Sequence, residues 1–320
     1  ARSLTSTSGP GISLMSEFAG LGYFAELPGV IWDIQRIGPS TGLPTRTSQG
    51  DVGKLATLSH GDTRHVVLFP ASVRDCFEYG MLAFDLAERL QTPVFVASDL
   101  DLGMNEWMSD PFPYPEKPSD RGKVLSVEQL ARLPKFERYR DVDGDGICWR
   151  TIPGTPHPAA AYFTRGSGHN EAAQYTERPE DYVRLVDRLS KKYETARTLV
   201  PKPDVEIRRG AEVGLLAYGT TLWAILEARE ELRREGLDPS TFLLRALPFT
   251  PELASFVASH DRVYVVEQNR DGQMADLVRL EVGAESAKIR SIRHYDGLPI
   301  DARSVVEGVL AAEREGVAVR

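Results

Sequence analysis

Short apolar runs alternating with helix-spaced stretches constrain this chain more than any other feature, because they point to a parallel α/β fold. Residues 30–34 ("VIWDI"), 65–69 ("HVVLF") and 92–98 ("TPVFVAS") are rich in β-branched and aromatic residues and barely alternate with polar ones. That is the pattern of strands covered on both faces. Between the last two, apolar or small residues at 73, 76, 77, 80, 81, 84, 87 and 90 recur at helical spacing behind Ser72, a predicted N-cap. Strand, helix, strand in succession implies parallel pairing with right-handed crossovers. From Val205 the rhythm returns: "EVGLLAYG", "STFLLRAL", "RVYVVEQ" and "SAKIRSIR" are predicted strands, separated and closed by helical stretches. The predicted fold class is α/β with two doubly wound domains, 1–110 and 204–320. They are joined by an irregular region, 111–203, that is helical near 180–196.

The composition excludes several roles. A net charge of -8 and a pI near 5.4 give no electrostatic support for nucleic-acid binding. No run of 18 apolar residues suggests a membrane span, and the first residues show no signal-peptide h-region. The two cysteines, Cys76 and Cys148, form no CxxC pair, which fits a reducing cytoplasm and excludes a self-contained thiolate cluster. Residue 1 is Ala, and "ARSLTSTSGPG" reads as a strand end entering a Gly-rich turn. The expectation is a fragment whose N-terminal portion is missing.

Two neighbouring segments are candidates for ligand contact. The first is the turn Ser8, Gly9, Pro10, Gly11, at a helix start whose free N–H groups suit a polar or anionic group. The same residues also suit a tight βα turn needing Gly for its dihedrals. The second is segment 36–51, predicted to be a long loop at the carboxyl edge of strand 30–34, where open α/β sheets bind ligands. Arg36 comes directly after that strand, and its guanidinium can hold both oxygens of a carboxylate. Arg46, Thr41 and Gln49 are further contacts of the same loop.

Other motifs have structural readings. "DVDGDG" places Asp141, Asp143 and Asp145 at the first three ligand positions of a calcium loop, but position 12 is Ile152 and not Glu, so an Asp/Gly turn is the simpler reading. His169, in "TRGSGHNEAAQY", has no nucleophile beside it to support acid–base work. Thr220 and Thr221 are predicted to cap a helix. Glu267 ends a strand and is a candidate for a subunit interface. The signatures GxxxxGK[ST], GxSxG and HExxH are absent.

"TSTSGPGISLMSE", "DIQRIGPSTGLPTRTSQGD", "SDLDLGMNEWMS" and "DVDGDG" together resemble the α subunit of 2-oxoacid:ferredoxin oxidoreductases, of the 2-oxoglutarate type, over almost the whole chain. "VYVVEQNRDGQMADLVRLE" fits that family's second domain, which is similar to the C-terminal domain of transketolase. The resemblance implies a thiamine-diphosphate enzyme with residues 1–110 as most of its pyrimidine-binding domain. It implies a β subunit carrying the diphosphate and Mg2+ site and a [4Fe-4S] cluster. The implied chemistry is oxidative decarboxylation of a 2-oxoacid, with coenzyme A taking the acyl group and ferredoxin the electrons. Two isolated cysteines agree with a cluster on another chain. Arg36 matches the family's substrate-binding Arg, and Ser8, Gly9, Pro10, Gly11 and Gln49 would lie near the cofactor. The Glu that activates the aminopyrimidine belongs upstream of residue 1, and Glu17 is a poor substitute. The chain alone is therefore expected to be inactive. The alternatives are a pyruvate or branched-chain 2-oxoacid enzyme, and a non-catalytic scaffold subunit.

Overall fold

A computed structural model describes residues 2–116 and 118–318, with side chains to residue 314. It begins with β1 (Leu4–Thr7), α1 (Gly9–Leu14), α2 (Ser16–Phe24), β2 (Gly29–Ile37) and β3 (Leu43–Thr47). Then come α3 (Val52–Ala56), β4 (Val66–Leu68), α4 (Val73–Leu90), β5 (Pro93–Asp99) and α5 (Leu100–Met104). The strand and helix predictions hold here: β2, β4 and β5 fall on the three apolar runs, and Ser72 Oγ accepts the Asp75 N–H at 3.0 Å to start α4. All seven residues of β5 are buried, as its place between β2 and β4 requires.

Segment 36–51 differs from the expected loop. Arg36 lies inside β2, which runs on to Ile37, and β3 folds back antiparallel with Arg36 opposite Thr47. Gly42 permits the reversal. Its φ is +54°, and a Cβ there would sit 1.9 Å from the Ile37 carbonyl oxygen.

Region 111–203 holds α6 (Val127–Arg132) and α7 (Pro179–Ala196), and it packs back onto the first sheet. Ile147, Ala196 and Val200 share a core with Tyr79, Leu86 and Val94. Glu26, at φ +58°, is gripped by Arg188 at 2.8 and 2.9 Å and by Lys192 at 2.7 Å. Burial works against this carboxylate's charge, but Lys192 and Arg188 together hold it well below the usual range.

The chain continues with β6 (Asp204–Glu206), β7 (Val213–Tyr218), α8 (Thr221–Arg234), β8 (Ser240–Leu244) and β9 (Ala246–Leu247). It ends with α9 (Glu252–Ala258), β10 (Arg262–Glu267), α10 (Gln273–Val282), β11 (Ile289–Arg293) and α11 (Ala302–Ala318). The first sheet has the order β1-β2-β5-β4-β9 with β3 on β2; the second is β11-β10-β7-β8-β6. The predicted single strand "STFLLRAL" is in fact two. β8 is parallel to β7 in the second sheet, while β9 crosses to pair antiparallel with β4 in the first. Arg245 marks the crossing, its guanidinium held by Asp75 at 2.7 Å and Asp204 at 2.5 Å. One apolar core runs between the sheets, from Val67, Phe69 and Phe95 to Leu216, Phe242 and Val263. The second sheet begins with β6 at Asp204, and β9 returns to the first. No helix among the described residues is long and apolar enough to cross a membrane.

Candidate functional site

Segment 36–51 ends in a buried tether. Gln49 is 1% exposed, and its amide binds only protein. Nε2 donates to the Tyr218 carbonyl at 3.0 Å, while Oε1 accepts from Thr221 Oγ1 and the Gln268 N–H, both at 3.1 Å. Its backbone N–H donates to the Gln268 carbonyl, and its carbonyl accepts from Asn269 Nδ2. Gln49, expected near a cofactor, fastens the first sheet to the carboxyl ends of β7 and β10. Gln273 adds two more bonds, from Gly53 N–H and to the Gly50 carbonyl. Glu267, at the end of β10, is buried and caps α10 within the chain by accepting the N–H groups of Met274 and Ala275.

Arg36 and Thr47 are cross-strand neighbours and so share one face of the ribbon. Arg36 Nε and Thr47 Oγ1 are both buried, and neither has a hydrogen-bond partner among the described residues. Buried polar atoms are rarely left this way, so this pair is the part of the segment that calls for a ligand. Nothing in the residue pattern singles out Thr47, whose importance arises from strand register. Arg46 and Thr41 are exposed on the other arm of the hairpin and its tip. The Arg46 stem lies against Gly297, where a Cβ would come within 2.9 Å of it. Alternation along β3 turns Arg46 away from the face holding Thr47, so the two arginines do not converge.

The turn at residues 8–11 stands at the end of β1, where Thr7 pairs with Asp33 in the middle of β2. Gly11 is required there, since a Cβ would lie 1.9 Å from Thr7 Oγ1. Ser8 occupies the N-cap position of α1 without a side-chain cap bond, and Pro10 fills the first turn. Gly9 sits directly over Asp51: a Cβ would be 2.9 Å from both carboxylate oxygens. The two candidate segments thus meet through a pair of residues, Gly9 and Asp51, that sequence spacing did not connect. Beneath them Asp33, on β2, is fully buried with neither oxygen hydrogen-bonded to a donor.

The remaining candidates are accounted for within the chain. Asp141 accepts the N–H groups of Gly144 and Gly146. Asp143 and Asp145 both bind Lys123 Nζ, at 2.5 and 2.8 Å, so the three carboxylates do not converge on a cation position. His169 is buried against Phe24 and Tyr139 with Nδ1 on the Ser167 carbonyl, and burial lowers its pKa. Glu17 stands 3.5 Å from His60 at the rim of a cleft of about 390 Å³ next to α7. Thr220 occupies the N-cap position of α8 but does not cap it, because its hydroxyl donates to Asp99 Oδ2 at 2.6 Å. Burial raises Asp99 to about 6, against that bond and the Leu102 N–H.

A family model described as pyruvate flavodoxin/ferredoxin oxidoreductase, thiamine-diphosphate-binding, matches residues 1–120. The chain is 35% identical to 2-oxoacid:ferredoxin oxidoreductase 1, subunit alpha, of Aeropyrum pernix, over 99% of this chain and 49% of that one. It is 32% identical to 2-oxoglutarate synthase subunit KorA of Methanocaldococcus jannaschii, over 84% of this chain and 70% of that one. The chain belongs to the 2-oxoacid:ferredoxin oxidoreductase α-subunit family. Its fold is likewise that of a family enzyme: the 2-oxoglutarate:ferredoxin oxidoreductase of Magnetococcus marinus, solved with 2-oxoglutarate, coenzyme A and succinyl-CoA, superposes with TM-score 0.86. Identity is 31%, over 97% of this chain and 53% of that one. The chain spans about half the length of the first oxidoreductase subunits it matches.

Proposed function

We propose that this chain supplies one wall of the active site of a coenzyme A-dependent oxidoreductase that decarboxylates 2-oxoglutarate and passes the electrons to ferredoxin. The unpartnered Arg36–Thr47 pair carries this reading. A half-buried cation whose Nε is unpaired, with a free hydroxyl across the ladder, suits an anionic substrate, and the planar guanidinium suits a carboxylate. The turn at residues 8–11, on the adjacent strand end, would line the thiamine-diphosphate side of the site. When bound, that cofactor supplies the carbon nucleophile that attacks the 2-oxo group. Arg36 would orient the substrate carboxylate and neutralise it while water is excluded, with Thr47 donating a second hydrogen bond. Neither residue needs to move a proton. The diphosphate, its Mg2+ and the [4Fe-4S] cluster are assigned to a β subunit, because two cysteines cannot ligate such a cluster.

The test is Arg36→Lys in the assembled enzyme, assayed by ferredoxin or viologen reduction on a panel of 2-oxoacids. Loss of the fork should lower kcat/KM roughly thirtyfold to a thousandfold, about 2–4 kcal/mol of transition-state binding. The affinity for coenzyme A should hardly change. Faster turnover of pyruvate than of 2-oxoglutarate by the parent would reassign the substrate. Unchanged kcat/KM in the variant would remove Arg36 from the site.

A further inference from the structure

We infer that Asp33 and Asp51 form a buried proton-binding site, one proton shared between two carboxylates, that positions the turn at residues 8–11 from below. This goes beyond the proposed activity and stands whether or not the chain acts on 2-oxoacids.

The geometry leaves few alternatives. Asp33 lies mid-sheet on β2, flanked by Thr7 of β1 and Ala97 of β5, and is 0% exposed. Neither of its oxygens meets a donor among the described residues, and Asp51 Oδ2 is equally unpartnered. Asp51 occupies the N-cap position of α3, where an Asp normally accepts a backbone N–H, yet it makes no cap bond. Its backbone is held by Gln35, whose Oε1 accepts the Asp51 N–H at 3.1 Å. That sets its carboxyl group under Gly9, on the face of β2 that carries both Gln35 and Asp33.

Two adjacent buried carboxylates cannot both stay ionised at neutral pH without a cation. The nearest cation is Lys54 on α3, whose Nζ reaches outward to Ser13 Oγ at 2.5 Å and is exposed. Sharing a proton turns one carboxyl into a donor for the other and halves the buried charge. Burial pushes Asp33 up to about 8, the Asp51 charge adds to the rise, and Lys54 opposes it. Burial raises Asp51 as well, against Lys54 and the hydrogen bond from Asp33. The groups titrate as a pair, so the proton belongs to both. With it in place, Asp51 is drawn toward Asp33. Without it, two anions repel, and Asp51 is pushed away from Asp33 toward Gly9 and the surface.

The sign of the pH effect follows. The folded pair binds a proton that the unfolded chain releases near the ordinary Asp value of 3.8. The stability it contributes is therefore full below that value and is lost as pH rises toward about 8.

The experiment is an infrared titration of the protein labelled with 13C at Asp carboxyls, together with thermal melts from about pH 5 to pH 8. A carboxylic-acid band persisting at neutral pH is expected. It should vanish in Asp33→Asn and in Asp51→Asn but survive in Asp99→Asn. The parent Tm should fall with rising pH while those of the two pair variants stay flat, a relative gain of about 2–4 °C at the alkaline end. Gly9→Ala should raise the pH at which the band disappears, because its methyl group blocks the withdrawal of Asp51 that ionisation of both carboxyls requires. No neutral-pH Asp band in the parent would overturn the inference, as would a band that survives both pair substitutions or melts that run parallel. If a pair variant fails to fold, the parental titration read beside that of Asp99→Asn still decides the matter.

Discussion

Two polar clusters lie at the carboxyl edges of the sheets, and they differ in how completely the protein satisfies them. Around Gln49, every amide and hydroxyl of Gln49, Thr220, Thr221 and Asn269 has a protein partner, and Gln268 Oε1 is the one exception in the group. In the second set, Arg36 Nε and Thr47 Oγ1 on one face of β2, and three carboxylate oxygens of Asp33 and Asp51 on the other, have none. Leaving such atoms unpaired costs about 1–3 kcal/mol each. The first set holds the sheets together; in the second, Arg36 and Thr47 are arranged for a ligand, while Asp33 and Asp51 are completed by the proton they share. Residues within one hairpin thus fall into opposite classes, and residue type does not separate them.

This contrast can be broken by substitution. The largest stability effect belongs to the satisfied class. Glu26→Gln leaves Arg188 and Lys192 buried without their counter-charge and should cost about 3–5 kcal/mol, read from denaturant unfolding. The parent should show the same dependence on acidification. The Glu26 carboxyl is held below its ordinary 4.5, so its contribution is present above that pH and fades as pH falls toward the lower folded value. A Glu26→Gln variant as stable as the parent at pH 7 would show that the ion cluster is dispensable.

Gln49→Leu strips three bonds from buried groups at Tyr218, Thr221 and Gln268 and should cost about 2–4 kcal/mol. If it instead leaves the melting curve intact and raises KM for a 2-oxoacid, Gln49 belongs to the site and the contrast fails. Thr47→Val is nearly isosteric and removes an unpaired hydroxyl. It should leave stability within about 0.5 kcal/mol or improve it slightly, while lowering kcat/KM severalfold in the assembled enzyme. The smallest effect is expected from Arg46→Lys, exposed and facing away from Thr47, with kcat/KM within about twofold of the parent. A collapse of activity in that variant, with Arg36→Lys near normal, would exchange the roles of the two arginines.

The sequence by itself determined the α/β class, the positions of β2, β4, β5, β7 and β10, the Ser72 cap and the family. Each rests on local signals: apolar runs, helical spacing and motif residues close together in the chain. Arg36 was legible as a candidate because it follows such a run. Tertiary structure alone decided what surrounds it. The division of "STFLLRAL" between two sheets depends on Arg245 meeting both Asp75 and Asp204, which lie 170 and 41 positions away in sequence. That Gln49 serves as a tether and Asp33 as half of a proton pair follows from contacts with Tyr218 and Gln268 in one case and Asp51 in the other. A side chain's chemistry is written in its residue type. Whether its donors and acceptors find partners depends on which distant strand ends the folded chain brings beside it.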